Sequence, residues 1–413
     1  MKKLLVVLLA LGLVFAFAMP AAATDIKVKG HYFISGNYQD NPSMQDGDAA
    51  LSASSNWTHQ QFRTQVDFQV QKGLKLTTRF DVFERRWGET ATSGEGNIQF
   101  DRVYITANIG PGVLKIGDMW NDYAPTKLGN IYGSGNVARY DIPFGNFVAE
   151  LRWQKKTEGD VGVTVSAKDK DEYALGLMYK LDKGFVGAYN IYTVDQTDVT
   201  DTFSITTNAF NPYFKYVLGA WTVQAEAYWI TGEKDYDAAG TQDKDYDGLT
   251  FWVAADAKFG AIGVGGEVFS ASGDDLTTTD IETGGVIGLA APGALIMFDY
   301  YTNKFNGTAY TMWSYTRANV NVVDVYVSYK ASPKLNLKAK FIYADAQEKE
   351  AVYGTVDTDM GTELDLTATY KIYDNLSYMV GFGYLWTGDF WKTSTTDKID
   401  DDYLITNKLT LVF

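Results

Sequence analysis

The chain has 413 residues and a formal net charge of −15, and 46% of its residues are hydrophobic and 15% aromatic. Such an acidic chain argues against nucleic acid as a partner, and a chain with 28 tyrosines is not intrinsically disordered. The slightly negative mean hydropathy excludes a bundle of transmembrane helices. Because cysteine is absent, only two histidines occur and no nucleotide-binding or zinc-protease motif is present, we predict that the protein is not an enzyme.

The first 23 residues have the pattern of a secretory signal peptide. Two lysines precede an apolar run over residues 4–18, and Ala21-Ala22-Ala23 supplies a small-residue cleavage site. The run is shorter than the ~18–20 residues that a membrane-spanning helix needs. We therefore predict a signal peptide over 1–23 and a single domain over 24–413.

From residue 24 onward the sequence alternates with a period of two. In residues 61–83, QFRTQVDFQVQKGLKLTTRFDVF, most apolar side chains fall on even positions and most charged ones on odd positions. This is the pattern of β-strands with one apolar and one polar face, and the 3.6-residue period of an amphipathic helix does not occur. Most of the runs have about the 9–11 residues that a strand needs to cross an outer membrane. Similar runs are 26–38, 146–154, 172–181, 185–194, 222–231, 249–259, 322–330, 335–345, 363–373 and 376–386.

Short and long connections alternate between these runs, as in a transmembrane antiparallel β-barrel with short periplasmic turns and long extracellular loops. Together with the first and last strands, eight turns predict 16–18 strands, and a further hairpin at 293–301 would extend the range to 20. The predicted turns are 72–73, 110–112, 158–159, 182–184, 218–220, 259–261, 331–333 and 373–375. The predicted loops are 40–56, 87–97, 120–145, 195–207, 232–248, 272–293, 346–361 and 388–402.

A soluble β-sandwich or propeller would also alternate, but the regular loop lengths favour a membrane barrel. Aromatic residues such as Trp87, Trp153 and Trp386 lie near strand ends, as in the interfacial girdles of outer-membrane barrels. The last run ends on Phe413, which is typical of bacterial barrels. Since lipid offers no partner to an unpaired backbone group, the sheet must close, and 16–18 strands enclose an aqueous channel.

Charged residues indicate which face of the sheet is wet. A Lys or Arg at the lipid midplane would cost ~2–4 kcal/mol, so the charged parity must face the lumen. A charged, water-filled lumen predicts a passage for small polar solutes. The residues on this parity include Arg63, Lys75, Arg79, Arg102 and Arg152.

The segment RVYITANIGPGVLKIGDMW (102–120) resembles the hairpin that precedes the third loop of general trimeric porins of the Gram-negative outer membrane. The resemblance implies a homotrimer of barrels, in which a loop near 120–145 folds inward and forms a constriction. In this constriction, acidic residues would face a ladder of basic ones. Gly117-Asp118 departs from the Gly-Arg of many porins. The matching acids are Asp118, Asp122 and Asp141, and the matching bases are Arg63, Lys75, Arg79, Arg85 and Arg102.

The resemblance favours an outer-membrane porin for passive diffusion of ions and small hydrophilic solutes, in contact with membrane lipid and lipopolysaccharide. The alternative is a substrate-selective channel for an anion, a sugar or an organic acid. A barrel with a plugged lumen and a structural role is a third possibility. Because the strand aromatics mostly share the lipid-facing parity, the sequence favours the general porin.

The sequence DKDYDG places Asp243, Asp245, Asp247 and Gly248 in the spacing that opens an EF-hand-like calcium loop. The twelfth position is Ala254 instead of glutamate, and an apolar strand begins at once. The alternatives are therefore a calcium site in an external loop, with no other cofactor, and an acidic surface loop.

Overall fold

A computed structural model describes residues 25–44, 54–88, 98–120, 122–129, 134–159, 169–198, 202–237, 241–284, 293–299, 302, 318–349, 356–392 and 394–413. The predicted signal peptide, 1–23, lies outside these residues. No helix in this part of the chain is long and apolar enough to cross a membrane. The described residues include one short helix, a 3-10 turn at Asp389–Trp391.

Eighteen antiparallel strands dominate the described part of the chain. In chain order the first nine are β1 (Asp25–Gln39), β2 (Ser55–Gln71), β3 (Leu74–Arg86), β4 (Gln99–Ile109), β5 (Gly112–Trp120), β6 (Ser134–Phe144), β7 (Phe147–Thr157), β8 (Lys170–Leu181) and β9 (Gly184–Asp195). The second nine are β10 (Phe203–Leu218), β11 (Trp221–Tyr236), β12 (Lys244–Phe259), β13 (Ile262–Ala271), β14 (Val320–Lys330), β15 (Leu335–Asp345), β16 (Asp359–Tyr373), β17 (Leu376–Thr387) and β18 (Asp402–Val412).

The sheet closes on itself, because each strand pairs with its neighbours in sequence and β1 pairs with both β2 and β18. At the seam, Gly30 and Phe413 exchange backbone hydrogen bonds of 2.8 and 3.0 Å, and the Phe413 ring stacks on Phe62 at 5.9 Å. Closure leaves no edge strand with unpaired backbone groups. The prediction of an all-β antiparallel barrel of 16–18 strands is confirmed.

The two ends of the barrel differ in the length of their connections. At one end, here called the short-turn end, each connection between consecutive strands has two to four residues. At the other, the long-loop end, the connections have between seven and 48 residues, the longest following β13. This asymmetry agrees with the alternation predicted from the sequence.

One predicted turn and one predicted loop are wrong. Residues 158–159 lie in a long-loop connection, because β7 continues to Thr157 and β8 starts only at Lys170. The missing turn is at 145–146, where Gly145 has a φ of +59°. The predicted loop 120–145 therefore contains a whole strand, β6. The false turn at 158–159 and the missed turn at 145–146 compensate for each other, so the number of short turns is still eight.

The predicted hairpin at 293–301 is also wrong. Its described residues, 293–299, form no strand. The backbone N–H groups of Leu295, Ile296 and Met297 instead donate to carboxylates on β16, on the inner face of the barrel.

The outer face of the barrel is apolar. Large hydrophobic side chains on alternate strand positions are exposed, for example Ile105, Leu175 and Val325 at 45%, 57% and 55%. Exposed aromatic residues lie near both ends of the barrel. They include Trp153 and Trp386 near the long loops and Phe259 and Tyr373 near the short turns. Such an apolar band between aromatic girdles is the surface that a lipid bilayer requires.

The inner face is less uniformly charged than the sequence predicts. Near the long loops a buried apolar cluster fills part of the barrel, and it includes the inward-facing rings of Trp57, Trp252 and Phe269. Tyr189 and Tyr213 also face inward. The interpretation that strand aromatics mostly face lipid therefore missed a substantial inner group. The cluster reduces the open space inside the barrel at this end.

Candidate pore lining

One arc of the inner wall, β2 to β7, carries more basic than acidic side chains and is called the basic side below. Its bases include Arg63, Lys75, Arg79, Arg102, Lys115, Arg139 and Arg152, and its acids include Asp67, Asp81, Glu84, Asp101, Asp141 and Glu150. The ion pairs are Arg63–Asp81 (2.5 Å), Lys75–Asp67 (3.6 Å), Arg79–Asp101, Lys115–Asp141 (3.1 Å), Arg139–Asp141 (2.7 Å), Arg139–Glu150 (2.8 Å) and Arg152–Glu150 (2.7 Å).

Arg102 differs from its neighbours on the basic side. Its guanidinium lies 4.4 Å from the centre of the Trp120 ring, and Arg79 lies 5.2 Å from the same ring. The buried Nε of Arg102 has no hydrogen-bond partner among the described residues. Stacking on an aromatic ring holds a guanidinium without neutralising its charge. Arg102 therefore retains hydrogen-bonding capacity that the ion-paired arginines have used.

The buried charged side chains of the opposite arc, β11 to β16, are mostly acids, and this arc is called the acidic side. In a ring of 18 strands these two arcs face each other. Its acids include Glu226, Asp256, Glu267, Asp324, Glu363 and Asp365, and its bases include Lys338 and Lys340. Lys340 pairs with Asp324 at 3.2 Å.

The connection after β5 joins the two sides. Arg152 on the basic side donates a hydrogen bond to the backbone carbonyl of Asp122. Six residues later, Leu128 donates its backbone N–H to Glu226 at 2.7 Å. Lys127 lies 2.5 Å from a carboxylate oxygen of Glu267. Residues 122–129, called the 122–129 segment, thus contact both opposing walls.

Residues 293–299, the 293–299 segment, lie against the acidic side. Glu363 accepts backbone N–H groups from Leu295, Ile296 and Met297 at 2.9, 2.8 and 2.8 Å. Asp365 accepts a second hydrogen bond from the N–H of Leu295 at 3.1 Å. Hydrogen bonds from successive N–H groups to one carboxylate fix the path of a segment that has no secondary structure.

The structure places four of the five predicted ladder residues together. Arg63, Lys75, Arg79 and Arg102 all lie on the basic side. Arg85 does not, because Phe83 has a φ of +57° and the pairing shifts there, so that Arg85 pairs with the outward Gln60. Such a bulge reverses the alternation of the residues that follow it.

The three predicted acids do not form a group on an inward loop. Asp118 pairs with the outward, 42% exposed Val103 and therefore faces away from the lumen. Asp141 faces inward, but it lies on β6 within the basic side and pairs with Lys115 and Arg139. Asp122 begins the 122–129 segment, next to Arg152. The opposed acids are wall residues instead.

The predicted calcium ligands lie in or next to a strand. Asp245 and Asp247 belong to β12, where alternate residues are about 6.6–6.8 Å apart along the strand. Asp247 accepts a hydrogen bond from the indole of Trp229 at 2.9 Å, and Asp243 accepts one from the N–H of Tyr236 at 2.8 Å. No group of three potential metal ligands occurs among the described residues. An extended strand does not curl around an ion as an EF-hand loop does.

The carboxylates of the acidic side were missed from the sequence, although their signal was present. Glu226, Glu267 and Glu363 each fall within an alternating strand pattern, in TVQAEAYW, GVGGEVF and GTELDL. A charged residue in a membrane strand must face the lumen, because lipid exposure is too costly. What the sequence does not show is that Glu226 and Glu363 bind backbone N–H groups of inward segments and that Glu267 binds the side chain of Lys127.

Comparison with known proteins supports the fold. The sequence matches no protein-family model and no curated protein. Among solved structures, Pseudomonas aeruginosa OccK2 (OpdF) in complex with glucuronate is similar, with a TM-score of 0.56 and 12% identity over 94% of this chain and 98% of that one. A BenF-like porin from Pseudomonas fluorescens Pf-5 has a TM-score of 0.54 and 13% identity over 94% and 99%. Pseudomonas aeruginosa OpdK with vanillate has a TM-score of 0.53 and 12% identity over 94% and 98%. The chain has the barrel fold of these porins.

Proposed function

We propose that the protein is an outer-membrane channel of a Gram-negative bacterium that is selective for small organic anions. The observation that carries the proposal is the closed 18-strand barrel with an apolar outer face and a charged inner wall. A barrel of this strand number is wide enough to enclose an aqueous passage. The excess of basic side chains on the arc from β2 to β7 gives that passage a region that attracts carboxylates.

A narrowed barrel interior favours a selective channel over a pore for general diffusion. The 122–129 segment contacts both walls, and the buried cluster around Trp252 and Ile296 occupies part of the long-loop end. A solute that passes a narrow region must exchange some of its hydration for contacts with the wall, so the wall's charge affects its passage. Two structurally similar proteins were solved with glucuronate and vanillate, both of which are ring compounds with a carboxylate.

General diffusion with weak selectivity is the second candidate function. It is favoured by the pairing of the basic side, where most arginines and lysines have an acidic partner within 4 Å. Paired charges produce a weaker field than isolated ones. The resemblance to general porins extends this candidate to a homotrimer, which migration on an unheated gel tests.

Liposome swelling separates the two candidates. Vesicles containing the purified protein are placed in isotonic glucuronate, vanillate or glucose. The selective channel admits the carboxylates faster than glucose, although glucose and glucuronate are of similar size. Equal swelling rates with glucose and glucuronate would exclude the anion-selective channel and favour the general porin. An absence of swelling with every solute would exclude both candidate functions.

A further inference from the structure

The docking site of the 293–299 segment has an unusual chemical arrangement. Three consecutive backbone N–H groups converge on the two oxygens of one side chain, Glu363. Such a nest of N–H groups ordinarily binds a free anion. Here the anion is a carboxylate of the wall, and it is fully buried.

The wall around Glu363 is shaped to receive the segment. Ile296 and Met297 are 1% and 2% exposed, and they join a cluster with Leu385 and Leu404. On the neighbouring strand β17 a Cβ at Gly383 would lie 3.3 Å from the Ile296 side chain. A Cβ at Gly381 would lie 3.2 Å from the Leu295 side chain. The Cβ at Gly383 would also lie 2.9 Å from Asp365 and that at Gly381 2.9 Å from Thr406, so glycine at these two positions leaves room for these wall side chains as well as for the segment.

We propose that the charge of Glu363 holds the 293–299 segment inside the barrel and thereby sets the width of the passage. Glu363 is a positioning residue in this account, and the effect on width rests on the proposed channel function. The carboxylate and the N–H groups depend on each other. If the segment left, a buried carboxylate would lose three hydrogen bonds at once. Asp365, which accepts one N–H of the segment, that of Leu295 at 3.1 Å, and is also hydrogen-bonded to Glu363, has a lesser part.

The substitution Glu363→Gln isolates the charge from the shape. Glutamine has nearly the same size, but only one of its two terminal atoms accepts hydrogen bonds. Its NH₂ group would face a backbone N–H, so that two donors would oppose each other. The segment would then lose at least one of its three hydrogen bonds to residue 363, and the remaining ones would no longer be strengthened by a charge.

Cysteine labelling tests the docking without requiring conduction. The chain contains no cysteine, so Ile296→Cys introduces a single thiol at a position that is 1% exposed. In the protein with Glu363 intact we expect slow reaction with a charged maleimide. Adding Glu363→Gln should raise the rate by about tenfold or more, as expected for the loss of charge-assisted hydrogen bonds. Glu226→Gln is the matched control, because Glu226 binds the other segment and should leave labelling of Cys at 296 unchanged.

A heat-shift gel shows whether the Glu363→Gln barrel is folded. If it is not, Glu363→Ala together with Asp365→Asn in the same single-cysteine background provides a second version of the labelling test. Equal labelling rates with and without the charge in a folded barrel would overturn the proposal.

Conductance tests the effect on width. Glu363→Gln should raise single-channel conductance, and a disulfide between Ile296→Cys and Gly383→Cys in the same variant should restore the original value until it is reduced. If the unsubstituted protein conducts and Glu363→Gln conducts equally, the width claim is wrong. If no variant conducts while the labelling rates differ as expected, the docking of the segment is supported and the channel function fails instead.

Discussion

The backbone N–H of Leu128 donates a hydrogen bond of 2.7 Å to Glu226, which links the connection after β5 to strand β11 on the other side of the barrel. The second oxygen of Glu226 accepts a hydrogen bond from the side chain of Asn211 at 3.0 Å. Glu363 binds the 293–299 segment in the same way. Two buried acids therefore hold two inward segments by their backbone N–H groups. Acids used in this way have fewer lone pairs left for solutes, and on the basic side Arg102 is the base without an ion-pair partner among the described residues.

The side chain of Asn211 replaces a backbone hydrogen bond that is missing between β10 and β11. Pro212, the next residue on β10, has no N–H to donate to β11, and the Asn211 side chain donates to the carbonyl of Ala227 at 2.7 Å. We expect Asn211→Ala to lower the free energy of unfolding by about 1–3 kcal/mol, because it leaves buried acceptors unpaired. Urea unfolding followed by gel mobility measures the change. Asn190→Ala, at an outward position on β9, is the control and should not lower stability; an equal loss in both variants would contradict this role.

The basic side should determine ion preference. Replacing Arg79 and Arg102 by alanine removes two positive charges next to Trp120, so the reversal potential under a salt gradient should shift toward cations. Arg85→Ala is the matched control, because the bulge at Phe83 turns Arg85 away from the lumen. A shift of the same size in the control would show that surface charge, and not the inner wall, causes the effect.

The ion pair between Arg63 and Asp81 should contribute measurably to stability. The two side chains are 25% and 10% exposed and form two N–O contacts across β2 and β3. Partial exposure reduces the value of a buried pair, and we expect Arg63→Ala to cost about 1–3 kcal/mol. In a double-mutant cycle, adding Asp81→Ala should recover part of this loss. The Lys75–Asp67 pair, at 3.6 Å and with more exposure, should couple by less than about 1 kcal/mol; stronger coupling there than between Arg63 and Asp81 would contradict the assignment.

Lys127 should make stability depend on pH in the alkaline range. Its burial lowers its pKa below the ordinary 10.5, and the neighbouring Glu267 only partly opposes this effect. Between the lowered pKa and 10.5 the unfolded chain binds more protons at this residue than the folded one does, so the contribution of Lys127 to stability rises with pH. Urea unfolding at several pH values below 10.5 should show a smaller rise in Lys127→Met. A rise that is unchanged in this variant would assign it to other groups.

The sequence predicted the barrel well because lipid imposes a rule on every strand. Alternation places the apolar residues outside. The sheet must also close, because an edge strand would expose unpaired backbone groups to lipid. The missed strand, SGNVARYDIPF at 134–144, shows the limit of this pattern. It follows a glycine-rich stretch and contains Pro143, and proline ordinarily argues against a strand. The predicted turn at 158–159 was wrong because a Glu-Gly pair occurs in long loops as well as in tight turns.

The candidate site was harder to predict because it depends on contacts between distant residues. Arg85 lies at the correct spacing for the lumen until a left-handed Phe83 reverses the alternation. The apolar run at 295–298 has the composition of a strand, but its N–H groups bind Glu363, 66 to 68 positions away. No local pattern indicates such a partner. The bases at Arg63, Lys75 and Arg79 were found because strand parity alone decides their direction.

The most direct test of the central claim is the current through a planar lipid bilayer that contains the purified protein. Under a salt gradient we predict stable single-channel steps with a reversal potential that favours anions, and a reduction of the current by added glucuronate or vanillate. A bilayer that remains insulating, or a channel with a clear preference for cations, would contradict the account.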